Sequence, residues 1–191
     1  MSIKQVVVAY DFSAPADTAL DRAVALACRA PDHVLHIVTV LDPNVGLGLE
    51  PGTPIDYRYA EKLQRELLEK LHAIFTFRAP PHEVHFFVHV LIGDTVSELL
   101  ATAEDLGADL IVIGSHGRTG FRRLVLGSVS EAVVRGAGCP VMVARPKSYA
   151  DVALDHVLDT AHAPRPRRIQ PHRYSYTNAM IQTRPPEWPL N

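Results

Sequence analysis

The chain is short of several things that mark whole classes of protein. It has two cysteines, Cys28 and Cys139, in 191 residues. Two are too few for a disulfide framework, and they form no C-x-x-C pair, so a reducing compartment is expected. No apolar run reaches the roughly 18–20 residues that a membrane-spanning helix needs. The start, Met1 to Gln5 leading into Val6, Val7 and Val8, lacks the apolar core and small-residue cleavage site of a signal peptide. A cytoplasmic location follows as the expectation. Charge of one sign is also lacking: the formal net charge is −2. A strongly basic nucleic-acid binder is therefore excluded, along with collagen-like, coiled-coil and mucin-like chains.

What charge there is lies unevenly. Residues 1–146 carry 13 Lys/Arg and 17 Asp/Glu, whereas residues 147–191 carry 6 and 4. Seven of the 15 prolines lie from Pro146 onward. The length suits one domain of about 150 residues with an appendage. The boundary is expected at Pro146, with a Pro/Arg-rich extension over 147–191.

The body alternates between two periodicities. Ile3 to Tyr10, Val34 to Leu41, Val84 to Ile92, Leu110 to Ile113 and Pro140 to Ala144 are apolar runs that read as strands, several of them of the doubly covered kind. Between them lie helical patterns. Ser13 and Pro15 start one with Ala19, Leu20, Ala23, Val24 and Ala27 at helical spacing. Tyr59 to Phe77 is a second, with a stripe of Leu63, Leu67, Leu71 and Ile74, stopped by Pro80-Pro81. Asp94 caps a third, and Ser128 to Gly136 is a fourth. This β-α-β-α-β-α-β-α-β order predicts an α/β fold, a flavodoxin/Rossmann-like five-stranded parallel sheet with helices on both faces. Such a sheet binds ligands outside the carboxyl ends of its strands, where strand order reverses. The residues that follow strands are therefore the ones to inspect: Asp11, Asp42, Gly93-Asp94 and the segment from Gly114 to Ser128.

That last segment is the most informative. Gly114, Gly117, Gly120 and Gly127 punctuate the passage from a strand end to a helix start at Ser128. Glycines let backbone approach a ligand closely, and a helix N-terminus offers free N–H groups to an anion. Arg118, Arg122 and Arg123 would suit a phosphate chain. The same glycines also fit an ordinary loop that needs them to turn. Two other phosphate signatures are missing: there is no G-x-x-x-x-G-K-[ST] and no G-x-G-x-x-G.

The pattern Gly114-x2-Gly117-x9-Gly127-Ser128 resembles, without a gap, the nucleotide motif G-2x-G-9x-G-[S/T] of the universal stress protein family. Ala108 to Gly120, Leu126 to Glu131 and Cys139 to Val143 are similar to that family's signatures, and Val7 to Ser13 to its opening strand with its aspartate. The resemblance covers residues 3–145. It implies ATP bound at the carboxyl ends of the strands, with Mg²⁺ possible alongside the phosphates. Carried onto this chain, Asp11 contacts the adenosine part and the backbone at Ala9 and Val40 lines the adenine pocket. Ile113, Gly114 and Gly117 cradle ribose and phosphates, and Gly127, Ser128, Val129 and Ser130 take the phosphates. It also implies a homodimer paired through the last strand, Pro140 to Ala144.

Other candidates read more simply. Asp94 reads as a helix cap, and neither it nor Asp42 is placed in the site. His82, His85 and His89 invite a metal reading, but His82 need not converge with the other two and no carboxylate or cysteine completes the set. His116 lies in the glycine loop without a paired nucleophile, and Ser115 and Ser128 lack the G-x-S-x-G elbow of serine hydrolases. Cys28 and Cys139 read as partly buried thiols.

In the extension, Asp151 to Ala161 has the pattern of a short amphipathic helix. The Pro/Arg-rich stretch after it builds no core of its own. It could pack on the dimer through Tyr174, Tyr176 and Trp188, or recruit a protein partner; its charge is weak for nucleic acid. The function expected is nucleotide-dependent stress signalling with little or no turnover. The alternatives are a slow ATPase or nucleotide-transfer enzyme, and a non-binding interaction protein acting through its tail.

Overall fold

The computed structural model describes residues 3–43, 55–117 and 126–147, together with the backbone of two short strands at 176–177 and 180–181. The chain divides into two units, Met1–Pro146 and Lys147–Asn191. In the first unit, β1 (Lys4–Ala9), α1 (Ala14–Ala27), β2 (His33–Leu41), α2 (Tyr57–Arg78), β3 (His85–Ile92), α3 (Thr95–Asp105), β4 (Leu110–Gly114), α4 (Ser128–Gly136) and β5 (Val141–Ala144) follow one another. The five strands form one parallel sheet in the order β3-β2-β1-β4-β5. The order reverses between β1 and β4, so the crevice for a ligand opens at their carboxyl ends. In the second unit, β6 (Tyr176–Thr177) pairs antiparallel with β7 (Met180–Ile181). The amphipathic helix expected over 151–161 lies outside the described residues.

The central strand shows why the apolar runs are continuous. Val6, Val7 and Val8 are all at most 1% exposed, although successive side chains point to opposite faces. Val6 and Val8 pack with Ala19, Leu20, Ala23 and Val24 of α1 and with Leu67 and Leu71 of α2. Val7 and Ala9 pack on the other face with Leu99 and Ala103 of α3 and Val133 of α4. Helices therefore cover both faces, two on each. Burying each such side chain fully contributes about 1.5–3 kcal/mol.

Local chemistry sets the helix starts. Ser13 Oγ accepts from the Ala16 N–H at 3.3 Å, and Pro15 stands in the first turn, where its missing donor costs nothing. Asp94 accepts from the Ser97 N–H at 2.9 Å, as its position predicts. α2 begins at Tyr57 rather than Tyr59, because Asp56 caps it by accepting from the Tyr59 N–H at 2.9 Å. It ends at Ala79 in a left-handed conformation, φ 43°, just before the two prolines.

Candidate functional site

The site grows from two strand ends. After β1 the chain turns sharply into α1: Phe12 takes the left-handed conformation (φ 62°), a strained one for a residue with a β-carbon. The turn is held by Asp11, whose Oδ1 accepts from the Ser13 N–H at 3.0 Å. Its other oxygen, Oδ2, faces the loop after β4. A β-carbon on Gly117 would sit 3.0 Å from it. The β1 turn and the β4 loop thus meet at Asp11 and Gly117.

The β4 loop returns on itself before α4. The Gly127 N–H donates to the Ser115 carbonyl at 2.9 Å, and a β-carbon on Gly127 would lie 3.3 Å from His116 Cα. A side chain there would crowd the backbone at His116, and glycine leaves that approach open. Gly127 is also the N-cap of α4, in extended conformation, and offers no side-chain cap. α1, α2 and α3 are each capped by a side chain, from Ser13, Asp56 and Asp94. The first-turn N–H groups of Ser128, Val129 and Ser130 are of the kind that the helix interior leaves unpaired and that attract an anion. Ser128 is exposed.

Two expected site residues have structural duties. A β-carbon on Gly114 would lie 2.7 Å from the carbonyl carbon of Pro15, so glycine there lets α1 pack across the end of β4. Ser130 is buried, and its hydroxyl donates to the Gly114 carbonyl at 2.8 Å. Ser130 could offer a ligand its backbone N–H, while its side chain ties α4 to β4. Ala9, Val40 and Ile113 bury their side chains in one apolar cluster, so only their backbone could face a ligand. The arginines at 118, 122 and 123 lie outside the described residues.

Several polar residues were not anticipated. Tyr10 is buried, and its hydroxyl donates to Asp17 Oδ1 at 2.6 Å. Lys70 of α2 donates to the Tyr10 hydroxyl at 2.5 Å and pairs with Asp17. Burial, then the hydrogen bond to Asp17, pushes the Tyr10 phenol up, so it stays protonated. This clamp joins α1 and α2 beside the Asp11 turn. In the glycine loop, Ser115 is buried and its Oγ lies 3.0 Å from His116 Nδ1. Asp42, placed outside the site above, is a buried carboxylate at the end of β2. Of the three histidines considered together, His82 instead contacts the Ala27 carbonyl at 2.8 Å. No group of three or more His, Cys, Asp or Glu able to hold a metal is found among the described residues.

A cleft of about 370 Å³ lies at the opposite end of the sheet, where α3 and α4 end, lined in part by Leu100, Glu104, Gly136 and Cys139. Burial pushes the Cys139 thiol up, and the Asp109 carboxylate adds to the effect. That thiol is a poor nucleophile.

A five-stranded parallel sheet with helices on both faces, and a glycine-punctuated loop leading to a helix start at its switch point, defines a doubly wound, flavodoxin-like α/β domain. The model of the universal stress protein family matches residues 2–145, and the chain belongs to that family. It is 32% identical over 143 residues to universal stress protein MJ0531 of Methanocaldococcus jannaschii, covering 74% of this chain and 82% of that one. Among solved structures, MJ0577, of the same organism, aligns with a TM-score of 0.55 at 25% identity over 78% of this chain and all of that one. A universal stress protein family protein from Arabidopsis thaliana with AMP bound shares the fold at 20% identity (TM-score 0.51), over 76% of this chain and 93% of that one. No described helix is long and apolar enough to cross a membrane.

Proposed function

We propose that this protein binds ATP across the carboxyl ends of β1 and β4 and acts as a nucleotide-dependent stress-response protein with little or no turnover. The observation that carries the reading is the uncapped start of α4, set against a loop whose glycines at 117 and 127 leave room for backbone to approach a ligand. Family membership and the AMP-bound protein of the same fold support it. The phosphates would lie on the N–H groups of Ser128, Val129 and Ser130. The ribose and phosphates would run past Ile113, Gly114 and Gly117. The adenosine end would meet Asp11 and the backbone of Ala9 and Val40. Mg²⁺ would enter with the phosphates, held mainly by them.

A homodimer through β5 belongs to the same proposal. β5 is an edge strand whose outer groups pair with no strand of its own sheet, and edge pairing satisfies them. Localisation in the cytoplasm and a role for the 147–191 extension in contacting a partner belong to it as well.

The test is calorimetric titration of the full-length chain with ATP and Mg²⁺, followed by chromatography of the nucleotide after long incubation. Saturable binding with ATP recovered intact is the expected result. Steady release of ADP would replace the binding switch with an enzyme. No binding would remove the nucleotide site altogether.

A further inference from the structure

A polar chain crosses three strands on the face that carries α3 and α4. Gln5 of β1, His36 of β2 and His89 of β3 are its members. His36 Nε2 lies 2.8 Å from Gln5 Oε1, and His36 Nδ1 lies 3.0 Å from His89 Nε2. An amide oxygen only accepts, so His36 carries its hydrogen on Nε2 and presents a bare lone pair at Nδ1. His89 must then donate from Nε2. The two ring centroids are 5.3 Å apart, close to the longest separation that a 3.0 Å N···N contact between imidazoles allows. The nitrogens therefore point at each other and share one hydrogen in line. A shared metal would need both lone pairs aimed at a third point, which this arrangement does not provide.

Among the described residues, no countercharge acts on the two imidazoles. Val7 of β1, Val38 of β2 and Leu99 and Ala103 of α3 make this face apolar. The Phe87 ring stacks on His36, centroids 5.1 Å apart and planes within 8°. His85 is the other titratable group on this face of β3, and it is exposed. At the near end of β1, Asp109 pairs with Lys4 at 2.9 Å and accepts the Gln5 backbone N–H. His36 is 5% exposed. Burial, then the neighbouring His89, holds the His36 imidazole below its ordinary value, and burial does the same for His89.

β3 is the edge of the sheet: β2 is its strand neighbour, and α2 packs on its other face, where the Phe75 ring stacks on Phe86 at 5.3 Å. We propose that the Gln5–His36–His89 chain is a proton-sensitive latch, which fastens edge strand β3 to the sheet at neutral pH and lets go as the two imidazoles take up protons. One proton leaves an imidazolium donating to an imidazole. Two protons set N–H against N–H, and the contact cannot survive. Opening carries His89 and the stacked, half-exposed Phe87 away from His36, and frees the outer edge of β2.

The test is amide hydrogen exchange of the full-length protein between pH 8 and pH 5, corrected for intrinsic rates. Protection across His85–Ile92 should fall by about tenfold per pH unit for each proton taken up below pH 6.5, with Val141–Ala144 at the other edge unaffected. His89→Gln keeps a donor at the Nε2 position and removes one of the two titrating rings, so it should cut the slope to the single proton of His36; His85→Ala should leave the profile unchanged. The ¹⁵N signals of the wild-type imidazoles give a check that needs no variant: His36 should be the Nε2–H tautomer, and both rings should titrate below pH 6.5. A uniform fall at both edges, an unaltered profile in His89→Gln, or ordinary titration of the two rings would each overturn the latch.

Discussion

The position where Gly117 would carry a β-carbon lies 3.0 Å from Oδ2 of Asp11. A larger side chain at 117 must push into the carboxylate or into the space a ligand would use. Gly117→Val, and likewise Gly127→Val, should weaken ATP binding at least tenfold, or about 1.4 kcal/mol. Calorimetry gives the affinity, and an unchanged circular dichroism spectrum would show that the fold is kept. Full affinity in both variants would place the nucleotide elsewhere.

Asp11 sits at the proposed nucleoside end of the crevice. Asp11→Ala should therefore weaken ATP while leaving inorganic triphosphate nearly unaffected. Equal losses for the two ligands, titrated side by side, would show that Asp11 acts on the phosphates or only on the turn at Ser13.

Gly114→Ala tests a different matter. Its β-carbon would fall 2.7–2.9 Å from Pro15 atoms, two of them backbone, which cannot swing aside. Such overpacking costs about 1–3 kcal/mol. The melting temperature should drop by several degrees with or without nucleotide. A variant as stable as the parent would mean that α1 can shift along β4 without penalty.

The Tyr10–Asp17–Lys70 clamp predicts an acid effect. Burial alone would raise the Asp17 carboxyl. Hydrogen bonds from Lys70 and Tyr10 and the charge of Lys70 outweigh it and hold the group below its ordinary 3.8. A carboxyl lowered on folding stabilises the native state above its unfolded value, and that contribution fades as pH falls through the lower folded value. Lys70→Met should lose it, so the stability difference from the parent should be largest near neutrality and shrink below about pH 4. The pair is half-exposed, so the gap is about 1 kcal/mol or less. Thermal melts at pH 7, 5 and 3 would measure it, and a gap independent of pH would mean that Lys70 acts through packing alone.

Removing 147–191 should leave the sheet and its helices folded, because the five strands and both apolar clusters lie before residue 147. A cooperative melt of the 1–146 chain would bear this out; a chain without one would move the boundary into the extension.

Much of the architecture was legible because it rests on local or periodic signals. Val6 to Val8 announce a strand buried on both faces, and Ser13 with Pro15 marks the start of α1. Asp94 fits its cap for the same reason. The spacing of Gly114, Gly117 and Gly127 pointed to one sheet end, and the loop does bring Gly127 back onto Ser115 and Gly117 up to Asp11. What could not be read depends on register and on distant packing. Gly114 has a second duty that the sequence does not show, making room for Pro15, 99 positions earlier in the chain. His36 drew no notice inside a valine-rich strand, because its partners Gln5 and His89 become neighbours only once three strands align. Lys70 lies 60 residues from the phenol it holds. Single residues of this kind leave no periodic trace.

The placement of β1 at the centre of the sheet has a consequence for synthesis. The first strand made must wait for one of the later ones: Val6, Val7 and Val8 pair with Leu110, Ile111 and Val112. While the ribosome is still short of that point, one side of β1 is an apolar edge with nothing beside it. β1, β2 and β3 can assemble early through their own crossovers, but the α4 end of the proposed nucleotide crevice waits until residue 128 has emerged. Pairings this distant in sequence slow folding, and unfinished edges invite aggregation. Nascent chains stalled before β4 should therefore be the species that chaperones hold, and nucleotide should rescue only those in which α4 has left the exit tunnel.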